Sequence, residues 1–315
     1  SSSGISDQTG WWNSIAPGDF DNDGDMDYIL GNTGQNTFYR VSKNYPAKIY
    51  AKDFNNDGNY DAIPSLYLHD EDGKVKEYPA QTRDDLIKQM ISMRAKFLTY
   101  NSFAKATIND LLSKDDLKDA LILQANNMSS CLLKNMGNGK FQMIPLPSQA
   151  QLSSLNGMAV GDFDGDHKLD VVISTNDFGT EVSVGRYDAL NGLYLKGDGH
   201  GNFTAVPMNK SGICIKGNGK AMVMLNRGGR LVLAGSQNRG PLKLFSPNIP
   251  LKLVAVEEGD VTAMIKFNDG KMRKQEIDYG GSFLSQSGRF LVLEPGVESV
   301  QIINSKGEKR ILKKL

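Results

Sequence analysis

The chain has 315 residues, with 36 Lys+Arg against 36 Asp+Glu, 39% hydrophobic and 23% charged residues. This is the composition of a folded protein with room for one large domain or two smaller ones, and zero net charge lacks the basic footprint of a general nucleic-acid binder. No run approaches the ~18 apolar residues of a spanning helix, and two cysteines, Cys131 and Cys214, cannot build a disulfide framework.

The 33 glycines exceed the usual share of about 7% and point to short strands joined by tight turns. The chain opens Ser1-Ser2-Ser3-Gly4, with neither Met nor an apolar signal region, and reads as a mature or truncated fragment. Trp11-Trp12 come next. A sugar-stacking platform and packing between neighbouring sheets are both open for that pair, the second being the commoner use of Trp near a strand.

A repeat follows. Asp19 to Asp27 reads D-F-D-N-D-G-D-M-D, Asp53 to Asp61 reads D-F-N-N-D-G-N-Y-D, and Asp162 to Asp170 reads D-F-D-G-D-H-K-L-D. Positions 1, 5 and 9 are Asp in all three, position 2 is Phe and position 8 is apolar, and strand-like runs such as Tyr28-Ile29-Leu30 and Val171-Val172-Ile173 come after. Between the second and third copies, Leu86, Met90, Met93 and Phe97 fall on one helical face. This predicts a helical insertion over about 83–118, with Thr82 as N-cap and Ser113/Asp116 as a capping box. A second repeat, Leu133 to Phe141 and Leu195 to Phe203, places a Gly-rich turn between strand-like ends and reads as a hairpin. Ala221 to Gly235 keeps the pattern of apolar run, turn and apolar run, but its turn at Asn226 to Gly229 has no carboxylate. After about Pro247, Val261 to Phe267, an Asn-Asp-Gly turn and Lys271 to Tyr279 form a further hairpin, and Phe290 to Leu293 and Val297 to Ile303 are strands. The basic tail, Lys306 to Lys314, alternates apolar and charged residues as an edge strand does.

Oxygen donors at positions 1, 3, 5 and 9 of a tight loop suit a hard cation, and calcium takes 6–8 oxygens in irregular geometry. The expected ligands are Asp19, Asp21, Asp23, the Asp25 carbonyl and Asp27 in the first loop. They are Asp53, Asn55, Asp57, the Asn59 carbonyl and Asp61 in the second, and Asp162, Asp164, Asp166, the Lys168 carbonyl and Asp170 in the third. His167 stands where the turn glycine is expected. An EF-hand would need a bidentate Glu at position 12 and flanking helices, whereas position 12 is Leu30, Pro64 and Ile173. Plain acidic turns are the bland alternative, but clustered carboxylates repel one another unless neutralised. The expected role of each ion is to staple a turn, not to catalyse.

These loops resemble the FG-GAP/VCBS repeats of calcium-binding β-propellers, including the integrin α-subunit type. Asp278 to Ser287 (D-Y-G-G-S-F-L-S-Q-S), Val297 to Ile303 and Lys306 to Lys309 resemble the ASPIC/UnbV domain, which follows such propellers in proteins of the cartilage acidic protein type. The whole is most similar to the long surface VCBS-repeat proteins of Bacteroidetes-type bacteria. The resemblance implies an all-β chain. Residues 1–247 would be a propeller segment of about four blades (about 10–45, 46–146 with the insertion, 150–208 and 210–247), and 248–315 a small β-domain. Related propellers have six to eight blades, so the segment belongs to a longer chain or forms an open arrangement.

Asp177, Glu181, Arg186 and Asp188 lie in a polar stretch after the third loop and are the candidate ligand surface. A glycosidase-type carboxylate pair is conceivable there, though the spacing does not require it. His69 and His200 read as lone surface residues, and the two cysteines as separate buried thiols. No nucleophile elbow, P-loop, dinucleotide fingerprint or zinc spacing is present. The expected function is a non-enzymatic, calcium-stabilised extracellular or cell-surface module that recognises protein or glycan, within an outer-membrane assembly. It has no nucleic-acid partner and no transmembrane segment. The alternatives are a calcium-dependent polysaccharide lyase or hydrolase, or a pure scaffold.

Overall fold

The computed structural model describes residues 3–313, and Lys314 of the basic tail lies outside them. The chain forms two compact units. One comprises the described residues to Ser6, Trp12–Thr37 and everything from Ser129, and the other comprises Asp7–Trp11 and Phe38–Met128.

Strands β1 (Ser14–Gly18) and β2 (Asp27–Gly31) begin the first unit. The chain then builds the strands and helices of the second unit: β3 (Ala47–Lys52), β4 (Asp61–His69), β5 (Val75–Pro79), helices α1 (Arg83–Gln89), α2 (Met93–Lys96), α3 (Tyr100–Ala104) and α4 (Ile108–Leu111), and β6 (Leu121–Ala125). It returns to the first unit with β7 (Cys131–Asn135) and β8 (Phe141–Pro145), which complete an antiparallel sheet in the order β1-β2-β7-β8. Residues 46–146 are therefore not one blade with a helical insertion. The inserted element is a complete second sheet, β5-β4-β3-β6, with its helices. The sequence repeat misleads here because the second acidic loop belongs to the insert, while the hairpin at Leu133 to Phe141 belongs to the sheet of the first loop.

In the second unit the helical stretch is broken into four short helices rather than one. Thr82 caps α1 by accepting the Asp85 N–H, and α1 stops at Met90, which is extended. Leu86, Met90, Met93 and Phe97 are nevertheless all buried, with Tyr50 and Ile63 of the sheet. Four apolar residues at helical spacing record one buried side, not one helix. Ser113 and Asp116 make the reciprocal capping bonds, Ser113 N–H to Asp116 Oδ2 at 2.7 Å and Asp116 N–H to Ser113 Oγ at 3.2 Å, but around a turn.

The rest of the first unit continues with β9 (Leu155–Gly161), β10 (Asp170–Thr175), β11 (Leu193–Gly197) and β12 (Phe203–Val206), a four-stranded antiparallel meander. A short helix, α5 (Met208–Ser211), leads to β13 (Asn218–Arg227), β14 (Arg230–Asn238) and β15 (Lys243–Phe245). The hairpin between β13 and β14 turns on Gly228 and Gly229, both at positive φ (60° and 84°), a conformation that glycine adopts without a Cβ penalty.

In β10, Val171 and Ile173 face a core shared with the first sheet, including Ala16, Ile29 and Leu132. Val172 faces a second core shared with Met222, Leu231 and Leu233 of the third sheet. A strand covered on both sides loses the apolar–polar alternation, which is why this run is continuously apolar. Burying a Val or Ile side chain of this kind contributes about 1.5–3 kcal/mol. The first strands of these three sheets lie side by side, with β9 between β1 and β13.

The remaining strands are β16 (Lys252–Ala255), β17 (Asp260–Phe267), β18 (Met272–Glu276), β19 (Phe290–Leu293), β20 (Val297–Asn304) and β21 (Lys309–Lys313). They form the sheets β16-β19 and β18-β17-β20-β21, so the tail strand is at an edge. Their core includes Ala263, Ile265, Leu291 and Val300. Within it Arg273 and Glu294 form a buried ion pair at 2.7 Å, with the guanidinium over the Phe267 ring. Val292, Phe290 and Leu253 also pack into the core of the third sheet, and residues 248–313 belong to the first compact unit. No helix among the described residues is long and apolar enough to cross a membrane.

Candidate metal centre

Each acidic loop joins the first two strands of its sheet, and all three share one backbone design. The position-1 carboxylate accepts amide N–H groups from across the loop. Asp19 takes those of Asp23 (3.0 Å) and Gly24 (3.2 Å), Asp53 those of Asp57 (3.0 Å) and Gly58 (2.8 Å), and Asp162 those of Gly165 (2.6 Å) and His167 (2.7 Å). Positions 4 and 6 are left-handed in every copy: Asn22 and Gly24, Asn56 and Gly58, Gly165 and His167. His167 does take the glycine place, at φ 66°. In compensation its ring stacks on Phe267 at 4.6 Å, and its Nε2 lies 2.8 Å from the Pro295 carbonyl.

The loops differ in what surrounds the carboxylates. The first loop holds acceptors that nothing among the described residues satisfies. Carboxylate oxygens of Asp19, Asp21 and Asp23 lie within 4.8 Å of one another. Three buried oxygens, Asp21 Oδ1, Asn22 Oδ1 and Asp27 Oδ2, have no hydrogen-bond partner. Burial, reinforced by Asp21 and Asp23, pushes the Asp27 carboxyl up to about 6, even though the Asn135 N–H donates to it at 2.7 Å. Burial likewise raises Asp19. Orphaned buried acceptors are costly, about 1–3 kcal/mol each, and a divalent cation held by the expected ligands would satisfy those of Asp21 and Asp27. The donor set is all oxygen, as calcium requires, so the residues fit the ion that the resemblance implies. Asp25 is exposed, so its backbone carbonyl would be the atom it offers to an ion.

The second loop is self-contained. Asn55 Nδ2 donates to Asp57 (3.1 Å) and to the Gln89 carbonyl (3.0 Å), and Asp57 Oδ1 accepts the Asn59 N–H at 2.9 Å. Gln89 Oε1 accepts the Ala62 N–H next to Asp61. None of its acceptors is a buried orphan among the described residues.

In the third loop, oxygens of Asp162, Asp164 and Asp166 also lie within 4.8 Å of one another. A lysine ammonium reaches them: Lys196 Nζ is 3.0 Å from Asp166 Oδ2 and bonded to Asp164. Asp170 is pushed up to about 7 by burial, against hydrogen bonds from the Tyr194 hydroxyl and the Gly197 N–H. Lys168 is half-buried, 3.5 Å from Asp166. The first loop has a corresponding contact, Lys134 Nζ to Asp21 Oδ2 at 2.7 Å. Lys134 and Lys196 were not among the residues expected from sequence. Their signal was the lysine shared by both copies of the hairpin repeat.

In the polar stretch, Asp177 lies 3.5 Å from Lys220 and pairs in a β-bridge with Tyr187. Arg186 stacks over Phe178 at 4.8 Å, and Glu181 and Asp188 are exposed. Trp11 packs edge-on against Tyr39 at 4.8 Å. Cys131 is buried and Cys214 half-buried, both as free thiols. His69 and His200 are exposed.

Neither a protein-family model nor a curated protein matches this chain.

Proposed function

We propose that the chain is a non-enzymatic, calcium-stabilised binding module of β-propeller type, working at or outside the cell surface as part of a larger envelope assembly. The observation that carries the calcium reading is that two of the expected ligand oxygens in the first loop, Asp21 Oδ1 and Asp27 Oδ2, are buried without a partner. The propeller reading is supported by consecutive antiparallel meanders that share cores through both faces and bring their first strands together. The ASPIC/UnbV-like reading is supported by the Ser282–Ser287 segment. Its hydroxyls accept the Met158 and Met224 N–H groups of β9 and β13 and so fasten the C-terminal sheets to the meanders. A site outside the cell suits an ion needed at high free concentration, and protein or glycan is the expected partner.

Terbium luminescence and thermal melting test the calcium reading. Calcium at a hundred times its dissociation constant should stabilise the fold by about 2.7 kcal/mol, and excess EDTA should remove that gain. A melting temperature indifferent to both would overturn it.

A further inference from the structure

Beside the edge strand β18, within the first unit, is a cavity of about 130 Å³. Its lining includes Met26, Met158 and Phe290 together with Lys274, Glu276 and Asp278. Lys274 and Glu276 alternate along the strand with buried Arg273, and Asp278 follows buried Ile277 just past its end, so the three polar residues stand off the core. The side chains of Lys274, Glu276 and Asp278 make no hydrogen bond or ion pair with any described residue. Arg289, which also lines the cavity, is committed to the carbonyls of Glu257, Glu258 and Asp260 at 3.0–3.3 Å. Its charge together with that of Lys274 balances Glu276 and Asp278, and the remaining charged lining residues, Asp162 and Arg273, are of opposite sign.

We infer that this cavity binds one terminal ring of a neutral sugar. Glu276 and Asp278 would accept hydrogen bonds from ring hydroxyls, Lys274 would donate to a hydroxyl oxygen, and Phe290 with the two methionines would pack on the C–H face. Apolar lining with a few convergent, unspent polar groups is the pattern of a small-molecule site. The cancelled local charge selects an uncharged ligand over an anion or a cation. Carboxylates are acceptor-only groups with several lone pairs, and their bonds to hydroxyls are charge-assisted and short. A cavity of this size suits one ring and not a run of rings. The inference rests on the binding-module reading and gives it a ligand class at a place distinct from the polar stretch at Asp177 to Asp188.

The test is saturation-transfer NMR on the calcium-loaded chain with methyl glycosides of glucose, galactose, mannose and fucose at millimolar concentration. At least one should bind. Glu276→Gln and Asp278→Asn should each weaken that binding about tenfold, with the melting temperature unchanged because both side chains stand off the core. Binding of none of the four glycosides, or binding that both variants leave intact, overturns the sugar site. Melting with and without calcium is recorded on the same samples. Loss of sugar binding with calcium stabilisation intact removes this site alone, whereas sugar binding with no calcium effect removes the calcium reading alone.

Discussion

Asp19 Oδ2 accepts the backbone N–H of Lys274 at 2.9 Å. One carboxylate thus closes the first acidic loop on itself and ties it to strand β18, 255 residues away in sequence.

The first prediction follows from that tie. Asp19→Ala strands three backbone donors, those of Asp23, Gly24 and Lys274. At about 1–3 kcal/mol for each unsatisfied group, the loss should exceed about 2 kcal/mol and be partly felt even without calcium. Asp21→Ala removes a proposed ligand but closes no loop, so it should matter less by itself and chiefly when calcium is present. Calorimetry of both variants with and without the ion checks the order, and equal losses in EDTA would contradict it.

The lysines of the hairpin repeat give a second prediction. Lys196 bridges Asp164 and Asp166, whereas Lys134 pairs with Asp21. In the absence of metal, Lys196→Met should leave Asp164 without its lysine and Asp166 with only the 3.5 Å contact to Lys168, which should lower the melting temperature, and added calcium should restore part of it. Lys134→Met should instead tighten calcium binding at the first loop, because a competing ammonium is removed. Terbium titration of the two variants reads both effects. Unchanged affinity in Lys134→Met would mean that the lysine and the ion do not compete.

His167 offers a third. A non-glycine residue in the left-handed region carries about 1–2 kcal/mol of strain, here accompanied by the stack on Phe267 and the contact with Pro295. His167→Ala keeps the strain and loses the contacts, whereas His167→Gly loses both. The glycine variant should therefore be the more stable of the two by about 1 kcal/mol, measured by chemical denaturation. The reverse order would mean that backbone strain at this position is negligible.

The dependence on pH is the fourth. In the metal-free protein the Asp170 carboxyl sits at about 7, above its ordinary value near ~3.9. A raised folded pKa means that its contribution to stability is fully present below the unfolded value and is lost as pH rises through 7. The melting temperature in EDTA should therefore climb as pH falls from about 8 to 5, and Asp170→Asn should flatten that climb. Glu77, in the second unit, has the opposite sign. Burial alone would raise it, but hydrogen bonds from Lys48, Ser65 and Tyr50 outweigh burial and hold its carboxyl below the ordinary value. Its contribution is present above the unfolded pKa near ~4.3 and is lost as pH falls through the depressed one. Glu77→Gln should remove that acid-side loss, and a wild-type acid limb that survives the substitution would rule Glu77 out as its source.

The repeated D-F-D pattern determined the shape of the loops before any coordinates, because position-1 carboxylates and left-handed positions 4 and 6 act over nine residues of local chain. The hairpins at Leu133 to Phe141 and Leu195 to Phe203, and the strands at Phe290 to Leu293 and Val297 to Asn304, were legible for the same reason: turn chemistry and alternation are local. Tertiary structure alone decided which strands share a sheet. β2 pairs with β7 across an inserted second unit, and nothing between residues 31 and 131 announces that pairing. It also decided the difference between the loops. Whether a carboxylate ends up buried without a partner, as Asp27 Oδ2 does, or within reach of a lysine, as Asp164 and Asp166 are, depends on side chains brought in from neighbouring strands. The cavity of Lys274, Glu276 and Asp278 depends on the same thing, since a strand's sequence tells which side chains share a face but not what that face meets.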